Sequence, residues 1–402
     1  MLDLATRQLV KATAPVLKEH GVALTRVFYH LMFHHNPELK QIFNQGHQQA
    51  GTQQQALAMA VAAYAEHIDD PSVLAPVLTL VANKHASIGI RPEHYPIGRR
   101  HLLAAIREVL GDAANDALLA AWAAAFDQLA DLLITEEAGL YQQAATQPGG
   151  WSGWRACRVV RKVPESSEIT SFYLQPADGG PVPAYLPGQY VTVRVMVPQL
   201  GIMQPRQYSL SAAPGGSALR ISVKREAASD LSPAGMVSNT LHADVPEGAV
   251  IDVTPPMGDF WLDTAASTPV VLISAGVGIT PMIAMLNALL QAASPRPVQF
   301  LHACRSPSVQ AFGPHLASLA AEHPQLAAHI WHEEATAGAA ATALHQHVGR
   351  MQLGAAHTLP DADYYLCGPL PFMQAQKASL LALGVAAARI HAEAFGTGGN
   401  GI

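Results

Sequence analysis

Arg206-Gln207-Tyr208-Ser209 sets a cation, an aromatic ring and a hydroxyl within one short stretch. A flavin dinucleotide asks for these groups: positive charge for its pyrophosphate, a flat face for its ring, and a hydrogen bond near the reactive N5. Upstream, Pro187-Gly188-Gln189-Tyr190 brings a second aromatic after a tight turn. Downstream, Gly235-Met236-Val237-Ser238-Asn239-Thr240-Leu241 reads as a helix start, whose free N–H groups can hold phosphate. A binding domain without flavin is the alternative. Further on, the apolar Val270–Ile273 runs into Ala275-Gly276-Val277-Gly278-Ile279-Thr280-Pro281: strand, glycine turn, then helix with proline at its first position. Such glycines let backbone approach phosphate, and the helix start adds partial positive charge. The spacing is not G-x-G-x-x-G. A second strand, Asp363–Leu366, delivers Cys367-Gly368-Pro369 at its carboxyl end, the edge where open α/β sheets bind ligands. An ordinary buried thiol is the alternative for Cys367. Near the N-terminal side, His85 and Glu137 each interrupt an apolar helical face. A buried carboxylate is costly unless it is bonded. An imidazole that binds iron through one nitrogen offers its other N–H to just such a group. A satisfied core histidine and an exposed helix-end glutamate are the alternative.

The elements that must position these residues fall into three kinds. Residues 1–147 read as helix: Leu24, Val27, Phe28, Leu31 and Met32 recur at helical spacing, as do Leu74, Val77, Leu78, Val81 and His85 before Gly89. Asn36-Pro37 predicts a cap and first-turn proline opening another helix, and Pro92 begins one that carries Tyr95 and Leu102. Residues 148–154 form a turn-rich linker. Over 155–264, short β-branched runs at Arg158–Val163, Ile169–Leu174, Tyr190–Val197, Arg206–Ser211 and Leu219–Arg225 predict a small antiparallel barrel. Over 265–402, strand, glycine turn, helix and strand again predict a parallel α/β sheet. The segment 335–356 is rich in Ala, Gly and His and has no clear period.

Half of the 402 residues are apolar and 13% are charged, so two or three domains with large cores are expected. No unbroken apolar run reaches the ~18 residues of a membrane span, and no signal peptide is evident. Cys157, Cys304 and Cys367 are too few and too scattered for a disulfide framework, which points to a reducing cytoplasm. A net charge of −6 with mixed signs argues against nucleic acid. His30 and His34 have metal-pair spacing but no third ligand nearby, and read as surface residues.

The helical segment resembles a bacterial globin through Lys11-Ala-Thr-Ala-Pro-Val-Leu17, Phe43-Asn44, Gln53–Leu57 and Ala82-Asn-Lys-His-Ala86. The barrel and the last segment resemble the flavin and nicotinamide domains of the ferredoxin–NADP reductase superfamily. In this order, over essentially the whole chain, the three resemble the flavohaemoglobins. The resemblance implies haem b, FAD and NAD(P)H as cofactors. It implies His85 as the iron ligand, supported by Tyr95 and Glu137. Phe43 then packs on the porphyrin, Tyr29, Gln53 and Leu57 line the oxygen side, Leu102 joins the apolar pocket, and Lys84 influences the haem potential, a solvated lysine being the alternative. A phenolic O–H from Tyr29 would stabilise the partial negative charge on bound oxygen; simple packing beside Phe28 and Phe33 is the alternative. Tyr190, Arg206, Gln207, Tyr208, Ser209, Gly235, Val237 and Ser238 are implied for FAD. Ala275 through Thr280, with Cys367, Gly368 and Pro369, are implied for the nicotinamide. Glu393, Phe395 and Gly396 match the family's last strand, with Phe395 covering the flavin and Glu393 near the flavin–haem junction. Thr397 stands where the family usually has proline.

The implied activity is nitric oxide dioxygenation, with O2, NO and NAD(P)H as substrates and nitrate as product. The alternatives are an oxygen-binding or sensing globin with its own haem reductase, a flavin reductase with a non-haem helical module, and peroxide reduction. A lipid chain is a further candidate occupant beside Leu57, Ala60 and Leu102, and a monomer is the expected assembly.

Overall fold

In α2 (Ala14–His35), Leu17, Leu24, Phe28, Tyr29 and Met32 fall on the buried side, as their spacing requires. The computed structural model that shows this describes residues 2–230, 233–334 and 343–396. Around α2 are α1 (Leu4–Ala12), α3 (Gln45–Ala50), α4 (Thr52–Glu66), α5 (Ala75–Ile88), α6 (Tyr95–Leu110) and α7 (Asp116–Thr146). Gly89, at φ 81°, ends α5 with a left-handed cap that a side chain would strain. Asn36-Pro37 opens only a short 3-10 turn, Pro37–Gln41, not the helix expected. The Asn36 amide bonds Glu38 and His101, so it leaves the turn uncapped.

Helix α7 is long and apolar enough to cross a membrane by length and composition, although acidic residues break its apolar runs. In the fold it packs against α1, α5 and α6, and Leu118, Leu119, Trp122, Ala125 and Leu133 are buried.

The antiparallel sheet contains β1 (Arg155–Pro164), β2 (Ile169–Pro176), β3 (Tyr190–Val197), β4 (Ile202–Ser209), β5 (Leu219–Lys224) and β6 (Val250–Val253), in the order β4-β3-β6-β1-β2-β5. A bridge between Leu210 and Ile221 joins the chain just after β4 to β5 and closes the barrel. The expected strand at Arg206–Ser211 is β4, which starts earlier, directly after the positive-φ turn at Gly201. Helix α8 (Met236–Asp244) starts where the Gly235 motif placed it.

The second sheet is parallel, in the order β10-β9-β8-β7-β11-β12. Its strands are β7 (Val270–Ala275), β8 (Val298–Cys304), β9 (Leu326–His332), β10 (His345–Val348), β11 (Asp363–Cys367) and β12 (Ile390–Glu393). Helices α9 (Ile279–Gln291), α10 (Gly313–Glu322) and α11 (Leu370–Ala382) accompany them. One core layer gathers Leu272, Ile283, Leu286, Phe300 and Ile330; the other gathers Ile273, Leu301, Trp331, Tyr364 and Leu380. Every residue of β7 is buried, as expected of a central parallel strand covered on both faces. Pro281 is the third residue of α9 rather than the first, because Gly276–Gly278 forms a 3-10 turn before the helix opens. Strand β10 lies inside the stretch that shows no period; 335–342 of that stretch and Thr397 lie outside the described residues.

The chain divides into two compact units, residues 1–154 with 192–206 and residues 155–191 with 207–402.

Candidate functional site

In the first unit, His85 in the last turn of α5 places Nδ1 2.8 Å from Glu137 Oε1 and 3.2 Å from the Tyr95 hydroxyl. Tyr95 also donates to Glu137 Oε1, at 2.5 Å. Glu137 is only 2% exposed, and its second oxygen has no hydrogen-bond partner among the described residues. A buried carboxylate on α7 therefore holds one imidazole from α5 and one phenol from α6. Burial, then the hydrogen bond and charge of Glu137, pushes the Tyr95 phenol up, so it stays a donor. With Nδ1 committed, Nε2 is the ring nitrogen left for a metal. The segment after α5 is held separately: the Tyr141 hydroxyl donates to Ile90 O at 2.5 Å, and the Arg91 guanidinium lies 4.0 Å from the Tyr141 ring centroid.

A second cluster surrounds Tyr29, which is buried on α2. Its ring packs among Phe28, Phe33 and Phe43 with centroid distances of 4.9, 5.8 and 6.0 Å. Burial pushes its phenol up, and the neighbouring side chains of Gln48 and Gln53 work against that shift. Gln48 donates to Gln53 Oε1 at 2.7 Å and accepts from Gln54 at 2.8 Å, so a bonded amide network lies beside the hydroxyl. Leu57 and Phe43 are half-buried against the same core, and Leu102 is buried in it. The basic residues gather too. Burial, then the charges of Arg206 and Lys84, push His47 down to about 4. These residues fit a haem: one imidazole nitrogen available on an oriented ring, an apolar wall, and cations for carboxylates.

In β4, Arg206 belongs to the first unit and Gln207, Tyr208 and Ser209 to the second. Ser209 Oγ is buried and has no hydrogen-bond partner among the described residues. A buried hydroxyl without a partner is costly, which fits a ring nitrogen supplied by a flavin. Tyr190 is buried at the start of β3 and lies against Gly258, where an added Cβ would come 2.9 Å from its ring. Gly235 caps α8; a Cβ there would meet Ser238 Oγ at 2.6 Å, so the turn needs glycine. Ser238 donates to Gly235 O at 3.1 Å, and Val237 is buried behind it.

The two glycine turns of the parallel sheet meet. A Cβ on Gly278 would fall 2.2 Å from Cys367 O and 2.8 Å from Gly368 N, and one on Gly368 would fall 3.2 Å from the Ala275 Cβ. Strands β7 and β11 are neighbours, so Ala275–Thr280 and Cys367–Pro369 share one carboxyl edge. Thr280 donates to Val277 O, and Pro369 caps α11. The Cys367 thiol is fully buried and pushed well up, by burial and then by Glu393, its register partner on β12. It is a neutral thiol. Phe395 is 45% exposed, and Gly396 has φ 114°.

A globin family model matches residues 26–133, and an oxidoreductase NAD-binding domain model matches residues 272–378. A flavohemoprotein of Bordetella parapertussis is 62% identical over 99% of this chain and 100% of its own length. The chain belongs to the flavohemoprotein family. A flavohemoprotein of Rhizobium meliloti is 49% identical over 98% of both chains. The crystal structure of a flavohemoglobin from Malassezia yamatoensis, with bound FAD and heme, matches with a TM-score of 0.86 and 30% identity, covering 98% of this chain and 100% of that one. The FAD/NAD-binding domain of a nitric oxide dioxygenase from Vibrio cholerae matches at TM-score 0.55 and 44% identity, over 60% of this chain and 98% of that one.

Three features of this flavohemoprotein escape sequence reasoning. Gln48 beside Tyr29 is one, although the glutamine-rich run 48–55 signals a polar face. His47, which feels the charges of Arg206 and Lys84, is another. The third is a group of imidazoles around β9 and β10, of which only the β10 members lie in the segment without a period. His30 and His34, by contrast, are exposed as expected.

Proposed function

We propose that this flavohemoprotein is an NAD(P)H-dependent nitric oxide dioxygenase, turning NO and O2 into nitrate. Haem, FAD and NAD(P)H would supply oxygen binding, the splitting of an electron pair into single electrons, and hydride. The observation that carries the reading is the His85–Glu137–Tyr95 arrangement. Storing oxygen does not require a buried carboxylate at 2.8 Å from the imidazole. The carboxylate keeps the proton on Nδ1, fixes the ring and makes Nε2 more basic, which favours repeated oxidation of a bound metal over simple storage.

Each chain residue then has a defined task. His85 would hold the iron, while Phe43, Leu57 and Leu102 would exclude water around it. Tyr29, beside Gln48 and Gln53, would offer its O–H to a partly negative ligand. Arg206 would neutralise pyrophosphate; in the other unit, the first turn of α8 has free amides of the kind that suit phosphate. Tyr190 and Tyr208 give aromatic faces to the flavin ring, and Ser209 Oγ donates to it. Gly276 and Gly278 let the nicotinamide's phosphates approach backbone, beside Cys367-Gly368-Pro369.

The test is NO removal by the purified chain in air, with each nicotinamide in turn. Each nitrate takes one electron and a hydride brings two, so two NO should disappear per NAD(P)H oxidised. An NAD(P)H oxidation rate that ignores added NO would refute the reading and favour an oxygen-binding globin with its own reductase.

A further inference from the structure

Strands β9 and β10 run parallel, with His345 opposite His329 and His347 opposite Trp331. Just beyond β10, the 3-10 turn Ala355–His357 brings a further imidazole back to this edge of the sheet. One ligand-capable atom each from His329, His347 and His357 lies within 4.8 Å of the others, and all three residues are half-buried. His329 Nδ1 and His347 Nε2 are 3.1 Å apart. Adjacent nitrogens on a tetrahedral zinc with ordinary bond lengths stand about 3.3 Å apart. We propose that His329, His347 and His357 form a site for a zinc ion that fastens β10 and the 355–357 turn to the body of the sheet.

The chemistry of the donors selects the ion. Three imidazoles with no carboxylate suit zinc or copper(II) and disfavour magnesium and calcium, which want oxygen. Half-burial leaves a path for entry and room for water as the fourth ligand. The ring of Trp331 lies 4.3 Å from that of His347, centroid to centroid, and supports it from the core side. Binding has one definite local cost. His357 Nδ1 accepts a hydrogen bond from the Gly354 amide at 3.1 Å. If Nδ1 ligates, that lone pair is taken; if Nε2 ligates, Nδ1 carries the proton. Either way the Gly354 bond is lost. The bond between His329 and His347 is replaced as well, since both nitrogens turn to the ion. Zinc should therefore loosen the Gly354 amide while tightening β10.

The test uses the full-length holoprotein, stripped of adventitious metal and titrated with zinc chloride by calorimetry. Elemental analysis counts bound zinc, which is read separately from haem iron. Wild type should bind one more zinc than His347→Gln, and His357→Gln should weaken that site at least tenfold. A His30→Ala/His34→Ala variant should keep it. Hydrogen exchange on the same samples should slow at the β10 amides and quicken at Gly354. Equal zinc binding by wild type, His347→Gln and His357→Gln overturns the site, as does loss of binding in His30→Ala/His34→Ala alone. If His347→Gln unfolds in the absence of metal, His357→Gln on the surface turn and the exchange pattern of wild type still decide. Binding without slower exchange at β10 overturns the fastening role.

Discussion

A single oxygen, Glu137 Oε1, accepts from both Tyr95 and His85. Glu137→Gln keeps an acceptor there but removes the charge. The haem should stay bound and its reduction potential should rise, read by spectroelectrochemistry; an unchanged potential would return Glu137 to a packing role. Tyr29 makes the complementary case on the oxygen side. Tyr29→Phe preserves contact with Phe28, Phe33 and Phe43 and deletes only the hydroxyl. A hydrogen bond to charge is worth roughly 1.5–3 kcal/mol, so O2 should dissociate about ten- to a hundredfold faster. CO carries less negative charge and should respond much less. Stopped-flow release of the two gases gives the comparison, and equal changes would contradict the electrostatic role. Gln48 and Gln53 stand beside the same hydroxyl, and a donor turned toward O2 by either would place the effect at the lower end.

At the scale of elements, the glycine turns were the most legible feature, and the reason is steric. Gly278 has an ordinary φ of −62°, so it is not there for backbone freedom; it is there because Cys367 O occupies the space of a side chain. Gly278→Ala must push the two turns apart. Nicotinamide-driven haem reduction should fall about a hundredfold from a displacement near 1 Å. O2 binding to chemically reduced haem should be unchanged. Normal reduction kinetics would show that the turns do not position the nicotinamide. Two elements that the sequence pattern does not reveal, β6 and β10, are short or polar. Strand β6 has four residues beside Gly248, and β10 reads His-Gln-His-Val, with no apolar alternation to reveal it. The 3-10 turn at Pro37 was misread as a helix because a proline start looks the same in both. Gln48 was out of reach for another reason: it stands beside Tyr29, on a different helix.

Across the whole molecule, buried neutral histidines set the response to acid. His302 is 1% exposed, with Nδ1 2.9 Å from Ser274 Oγ. Burial, then nearby His332, pushes it down from 6.5 to about 3. The unfolded chain binds this proton more readily than the folded one, so stability is full above pH 6.5 and falls as pH drops toward 3. The slope is about 1.4 kcal/mol per pH unit for one such group. His302→Gln should flatten that slope in urea titrations compared at pH 7 and pH 5. An unchanged slope would mean that His302 does not control acid sensitivity.

One small feature of the helical unit bears on how this chain could be taken apart. Gln204, completely buried on β4, donates to Lys40 O at 2.9 Å and accepts from the Gln45 amide at 3.0 Å. Two residues later the same strand reaches Arg206, and five later Ser209. A laboratory chimera joined at the obvious seam, the glycine-rich stretch 148–154, would exchange residues 40–45 yet inherit Gln204 from the other parent. Its amide would then face a foreign loop, two residues before Arg206. Modularity in this chain is therefore a property of contacts and not of sequence order. A transplant that respects it must carry residues 192–206 along with the helices.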